Sequence, residues 1–479
     1  MTLSIFRIVF MLLRSSSLFL GLRVTPLAKC LLAASLCAAL TACGGDDDDD
    51  PVVVAPPPVV TPADPTPRPV PEVPPDPVSP FPPAETPDPA PEMPEVPEVD
   101  EPTPAEPEPS SPYLDSSVGD VVKITLGELR PTQAAVGYDQ IYYHLARKQP
   151  DMARFTPSPA GYLGDDEADN YSRYLYRSER KRADDYCADN GQTGLDDASY
   201  QPHTVRLIDA NTFRCLTDPP VLGSVAADAL KTVVVGPGGV LYLTDGHHTF
   251  TVLNELADGG AMLPVWVRVA ANYSDAESMP VFWSRMRDAG FVWLRDAADR
   301  SIEPTALPRR IALTHFQDDA YRSLVYLTRG LGYSNDSVSE FAEFSWGSWL
   351  RRQGFDLTQY DLASLDRSRI AVTNGVVAAR SGDATSSYVA AVRDASLRMV
   401  ATRPEEMIAP DRSAEDLGRL DAPAKAGDWN DVMEDDIWRA DVNSAGRYRT
   451  AGKAWFAVRY RQCGGPAAAQ PACWAAAAQ

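Results

Sequence analysis

The feature that most limits how this chain can fold is the tract from Pro51 to Pro112, dominated by Pro, Glu, Asp and Val. Proline fixes φ and removes a backbone donor, and such a segment has too little apolar surface to offset the entropy of ordering. It is expected to be disordered and locally polyproline II, with a reach on the order of 200 Å at ~3.1 Å per residue. With the acidic run Asp46 to Asp50 it makes residues 44–117 a linker. Folding is left to roughly 360 residues, enough for a sizeable core, and 44% hydrophobic and 9% aromatic content suit one. The formal net charge of −22 opposes non-specific nucleic-acid binding, whose affinity comes from phosphate neutralisation. Part of that charge sits in the linker, so a local basic patch elsewhere stays open.

Ahead of the linker, Arg7, Arg14, Arg23 and Lys29 precede an apolar run from Cys30 to Leu40. The run has the length of a signal-peptide core. It ends in Leu40-Thr41-Ala42-Cys43, which resembles a bacterial lipobox, and Gly44 rather than Asp follows. Residues 1–43 therefore read as a lipoprotein signal peptide and lipobox, with lipidation at Cys43; an uncleaved anchor is the alternative. The expected location is the bacterial cell envelope, as an outer-membrane lipoprotein facing the periplasm or the cell surface. Its membrane partner would be reached through the lipid. Four other cysteines remain beyond the signal peptide: Cys187, Cys215, Cys463 and Cys473. An even number in an oxidising compartment suits two disulfides. Local pairing, Cys187 with Cys215 and Cys463 with Cys473, is preferred among three connectivities. Their spacing is poor for structural zinc.

The chemistry concentrates in Lys231 to Glu255. Thr232 to Val235 is a β-branched run, Gly236-Pro237-Gly238-Gly239 is turn chemistry, and Val240 to Leu243 is a second strand. Asp245-Gly246 breaks it, and Phe250, Leu253 and Leu256 predict a helix. His247 and His248, two of five histidines, fall where strand gives way to helix. Free backbone N–H groups there favour an anion. Elsewhere, strands are expected at Val121–Leu126 and Pro264–Val269. Helices are expected through Ile141 to Leu145, over Ser278–Arg287, after Asp318 or Asp319 as cap, and around Phe341–Leu350 as a core-facing aromatic stripe. Asp165 to Ser199 reads as a loop, and its basic cluster Arg177, Arg180, Lys181 and Arg182 as a solvated face.

In order and spacing, Leu129-Arg130-Pro131-Thr132-Gln133, the Gly236–Gly239 turn, Asp245-Gly246-His247-His248-Thr249, Asp319-Ala320-Tyr321-Arg322-Ser323-Leu324 and Phe344-Ser345-Trp346 resemble the ParB-like nuclease family. That family lies within the ParB and sulfiredoxin superfamily. The resemblance covers roughly Val118 to Arg352. It implies an α+β fold, a small mixed sheet with helices over 118–352, followed by a mainly helical extension over 353–479. It also implies a nucleotide or phosphate at the turn holding Gly246. His247 stands where sulfiredoxins carry their working cysteine, so sulfinic-acid reduction by that route is not expected. Gly246-His247-His248-Thr249 lacks the arginine pair with which ParB proteins bind CTP. No helix-turn-helix segment follows the core, and no chromosome partner is expected.

The candidate site is therefore His247, His248 and Asp245 as chemically active members. Gly246, Thr249, Gln133, Lys231 and Arg322 are candidates for holding a phosphate-bearing ligand, with Tyr321 within possible reach. A histidine suits proton transfer near neutral pH. Alternatively one histidine and Asp245 hold a divalent metal. Arg322 either grips an anion bidentately or pairs with Asp318 or Asp319. His144, His203 and His315 read as structural. Two functions stay open: an exported phosphodiester hydrolase of nuclease-like type, or a non-catalytic surface lipoprotein. The second would bind a small anion, nucleotide or partner protein through the same pocket. The lipobox carries the first testable expectation. Mass spectrometry of the mature N-terminus should find a diacylglycerol-modified Cys43, whereas an N-terminus at Met1 or a free Cys43 thiol would refute it.

Overall fold

The β-branched runs form short strands in the first part of the chain. In a computed structural model, which describes residues 111–149, 179–201, 203–335, 341–442 and 448–477, these are β1 (Val121–Thr125), β2 (Leu129–Pro131), β3 (Ala135–Val136), β4 (Thr232–Val235), β5 (Leu241–Leu243), β6 (Pro264–Asn272) and β7 (Gln317–Asp318). All described residues fall in the second of two units into which the chain divides, Ala55–Gln479. The lipobox with Cys43, linker residues 44–110 and Arg177 lie outside them, whereas residues 111–117, expected as linker, join the fold: Tyr113 Oη donates to Glu128 Oε1 at 2.6 Å and Asn272 Nδ2 to Leu114 O at 2.9 Å. One mixed five-stranded sheet runs in the order β1-β6-β4-β5-β2, and β3 pairs with β7. β2 lies parallel to β5, with Leu129 opposite Leu241 and Pro131 opposite Leu243. β4 and β5 form a hairpin across the predicted Gly-Pro-Gly-Gly turn. Parallel pairing brings the carboxyl ends of β2 and β5 to the same sheet margin, where ligands of open sheets commonly bind.

The helices over this part are α1 (Tyr138–Lys148), α2 (Glu179–Asp189), α3 (Val225–Asp228), α4 (His247–Glu255), α5 (Met279–Asp288), α6 (Ala320–Leu327) and α7 (Ala342–Arg352). Residues alternate in and out along β6, while β4 is buried throughout, its Val234 packing with Phe282 and Met286 of α5 apart from the larger core. That core holds Val233, Val235, Leu241, Leu243, Phe250 and Val267. Beyond residue 352 come α8 (Tyr388–Val400), α9 (Ala426–Asp431), α10 (Lys453–Cys463) and α11 (Pro471–Ala477). With them stand three two-stranded hairpins not read from the sequence: β8 (Ile370–Thr373) with β9 (Val376–Ala379), β10 (Met407–Ala409) with β11 (Arg412–Ser413), and β12 (Ala440–Val442) with β13 (Tyr448–Ala451).

A second core crosses residue 352, joining Tyr143, Leu324 and Trp346 to Tyr388, Trp455 and Trp474. α10 lies against α1. Arg461 Nη2 is 2.6 Å from Asp139 Oδ1, and Tyr142 and Tyr460 stack at 4.6 Å. Both locally paired disulfides form, Cys187–Cys215 and Cys463–Cys473. Closing loops of 28 and 10 residues stabilises by about 3.6 and about 2.7 kcal/mol in chain-entropy terms.

The expected loop from Asp165 to Ser199 differs. Residues Glu179–Asp189 are helical, with Ala183, Tyr186 and Cys187 buried on one face. Arg180, Lys181 and Arg182 of the basic cluster do not form a solvated face, because their charges are spent on ion pairs, Arg180 with Asp197. Lys181 Nζ lies 2.7 Å from both Asp184 and Asp185, at helical spacing, and Arg182 lies 3.2 Å from Asp258.

Candidate functional site

The turn after β5 meets the turn after β2. Gly246, the residue before α4, has φ +92°, and a Cβ there would meet the Lys231 side chain at 2.7 Å. Only glycine combines that backbone with that approach. α4 has no side-chain cap, so its leading N–H groups are left for a ligand or solvent.

Both histidines are buried, and both are pinned by the backbone. Thr132 N–H donates to His247 Nε2 at 3.1 Å, and Gly137 N–H donates to His248 Nε2 at 3.0 Å. A backbone N–H only donates, so each Nε2 presents its lone pair there, and the proton of the neutral ring sits on Nδ1. Burial pushes the His247 imidazole down to about 3. Burial first, then the charge of Arg322, holds His248 well below the usual histidine range. Both rings are therefore neutral N–H donors through Nδ1 at neutral pH.

His248 Nδ1 lies 3.4 Å from Arg322 Nη2. Two donors face each other there, so the contact is not a hydrogen bond; Nη2 is instead the nitrogen that pairs with Glu343. Arg322 comes from α6, whose start is capped by Asp319 accepting from Tyr321 and Arg322 N–H at 2.9 and 3.1 Å. Its guanidinium is 5% exposed and pairs with Glu343; its Nε and Nη1 are buried without a partner. Glu343 also takes Arg329 Nε at 2.6 Å and Tyr333 Oη at 2.8 Å. Burial works to raise the Glu343 carboxyl, yet Arg322 and Arg329 outweigh it and hold it below its ordinary value.

These groups line a cleft of about 570 Å³. All eight sequence-derived candidates stand on it: Gln133, Lys231, Asp245, Gly246, His247, His248, Thr249 and Arg322. Asp245 is 3.9 Å from Lys231 Nζ and 46% exposed. Gln133 Nε2 donates to Ala135 O at 2.9 Å. Lys231, Arg322 and Arg329 oppose Asp245 and Glu343, leaving one surplus positive charge among the lining side chains. No group of three His, Cys, Asp or Glu able to hold a metal exists among the described residues.

Three expectations are corrected. Arg322 pairs with neither neighbouring aspartate: Asp319 takes Arg351 at 2.6 Å and Asp318 takes Arg461 at 3.0 Å. Tyr321 turns away, donating to Phe355 O at 2.5 Å. The aromatic stripe of α7 is divided. Trp346, Trp349 and Leu350 are core, while Phe341 and Phe344 line the cleft. Arg329 and Glu343 were missed. Arg329 follows Arg322 by seven residues, two helical turns, which was a usable signal; Glu343 reaches the site only through the packing of α7 on α6.

The mixed sheet brings two turns, each with buried donors, to the edge of one cleft. Residues 122–352 match the family described as "Putative ParB-like nuclease". None of the curated proteins matches the chain. Among solved structures, it is similar to protein Atu1540 from Agrobacterium tumefaciens, at 21% identity over 49% of this chain and 79% of that one, with a TM-score of 0.29.

The buried neutral rings make stability depend on pH. An unfolded histidine binds its proton from about pH 6.5 downward, whereas folded His247 does so only near 3. Between these values the unfolded state holds more protons. The contribution is therefore whole above about pH 6.5 and drains as pH falls, by about 1.4 kcal/mol per unit. His247→Gln keeps an acceptor for Thr132 N–H and does not titrate. In urea unfolding across this window, its stability should fall less steeply than wild type by about 1.4 kcal/mol per pH unit. An unchanged slope would contradict the neutral buried ring.

Proposed function

We propose that the chain is an exported phosphodiester hydrolase of nuclease-like type, and that the cleft at Gly246 is where the phosphodiester docks. The observation that carries this is the set of buried donors without acceptors: Arg322 Nε and Nη1 beside the Nδ1 side of His248. A buried donor left unpaired is costly, and a phosphoryl oxygen would satisfy these groups with charge-assisted bonds. The free N–H groups of α4 add to the same pull. The ParB-like nuclease domain supports hydrolysis as the reaction.

In this reading the two imidazoles donate rather than abstract protons. Asp245, the one lining carboxylate outside the Arg322–Glu343–Arg329 cluster, takes the proton of the attacking water. As the P–O bond breaks, the leaving oxygen takes a proton from Lys231. Proton return from Asp245 to Lys231, 3.9 Å away, resets the pair. The two disulfides support an oxidising, extracytoplasmic compartment; the lipid-anchored place in the envelope rests on Leu40-Thr41-Ala42-Cys43.

Bis(p-nitrophenyl) phosphate turnover tests the reading. Asp245→Asn should lower kcat by about 10²–10⁴-fold, as loss of a general base does, with KM little changed. His248→Gln keeps the acceptor for Gly137 N–H but deletes the Nδ1 donor, and should raise KM. Wild-type kinetics in both folded variants would overturn the proposal. Phosphate binding without turnover by wild type would leave a binding module.

A further inference from the structure

A second and larger cleft, about 730 Å³, opens on the other side of Phe341. It lies where α5, the segment after it, α7 and the β10–β11 turn meet, so residues of the C-terminal extension form one of its walls. Four arginines line it, Arg287, Arg295, Arg352 and Arg412, against a single carboxylate, Asp411. That balance is opposite to the chain's net charge of −22. Arg287 is exposed, and its side chain makes no ion pair among the described residues. Arg412 has only Asp411, at 3.8 Å. Arg352 is held on Ile408 O at 2.5 Å, and Arg295 on Asp299, through its carbonyl at 2.8 Å and its carboxylate at 3.4 Å.

The wall between the clefts is aromatic. Trp293 stacks on Phe344 at 5.3 Å and on Phe341 at 6.1 Å. Arg322 of the first cleft sits over the Phe344 ring at 5.4 Å. Trp293 N–H donates to Thr132 O at 2.9 Å, and Thr132 N–H is the group that pins His247. The aromatic wall and the phosphate cleft thus hang on one residue. Phe341 adopts φ +62°, a left-handed conformation that is unfavourable for a bulky side chain and that recurs at functional sites.

From this juxtaposition we infer that the second cleft binds a single strand of nucleic acid flanking the phosphodiester held in the first, with bases stacking at Trp293 and Phe341 and phosphates on Arg287 and Arg412. The inference rests on the phosphodiester reading above and extends it to a substrate class. Every base has a π-face that stacks on an aromatic ring, and a cationic groove tracks the backbone. Duplex bases have their faces covered, so an intact double strand offers this wall nothing to stack on.

A short fluorescein-labelled oligothymidylate, followed by anisotropy as salt is raised, tests the inference. Arg287→Ala and Arg412→Ala are surface changes outside the phosphate cleft. Each should weaken oligothymidylate binding and reduce the slope of log affinity against log salt by about 0.7, the single-strand value per phosphate contact. Both should leave bis(p-nitrophenyl) phosphate turnover at the wild-type rate. Tryptophan quenching by the strand should be present in wild type and reduced in Trp293→Phe. Unchanged affinity and slope in the arginine variants, or equal binding of a duplex of the same length, would overturn the inference even with diester turnover intact. Absence of diester turnover in every form would overturn the hydrolase reading, while the anisotropy arm still decides whether a strand binds here.

Discussion

The site depends on two hydrogen bonds from backbone to imidazole. Thr132 and Gly137 N–H occupy Nε2 of His247 and His248, and this single constraint fixes ring position, tautomer and charge together. Thr132 directly follows β2 and Gly137 directly follows β3, so the rings are held by the backbone of the fold rather than by other side chains. A buried imidazole that must accept at one nitrogen has only its other nitrogen to offer, and offers it as a donor. The turn after β5 therefore presents neutral donors beside a helix start, an arrangement that favours an anion and disfavours a cation.

The same logic explains the arginines around it. Arg322 and Arg329 share Glu343, and a buried guanidinium without a carboxylate would be very costly. Glu343 neutralises only part of that charge, and Arg322 keeps two nitrogens unpartnered. Holding such a group buried in the folded protein makes sense if a ligand completes it. The second core, shared between α6, α7 and the C-terminal helices, fixes both arginines and Glu343 in register. The extension thus supports the site without lining the cleft at Gly246.

Much of this was legible in the sequence where the determinants are local. The Gly-Pro-Gly-Gly turn, the strand-to-helix break at Gly246 and the cap at Asp319 are each set by a few adjacent residues, and all appear as read. The local disulfides followed from loop closure between near neighbours. What depends on distant packing was not legible. Glu343 joins the site because α7 packs on α6, and Tyr321 leaves it because Phe355 takes its hydroxyl. Helix α2 hid in a charged stretch because its stabilising contacts are ion pairs and one buried face, not a strong apolar period. The hairpins after residue 352 hid among alanine, arginine and aspartate, where short strands leave little pattern.

The most direct measurement is a nitrogen-15 NMR spectrum of the histidine rings, recorded at neutral pH with and without inorganic phosphate. The account predicts that His247 and His248 are neutral with the proton on Nδ1, and that the His248 Nδ1–H resonance moves as phosphate fills the cleft. An Nε2–H tautomer or a charged ring at either position, or a His248 signal that does not move at saturating phosphate, would contradict it.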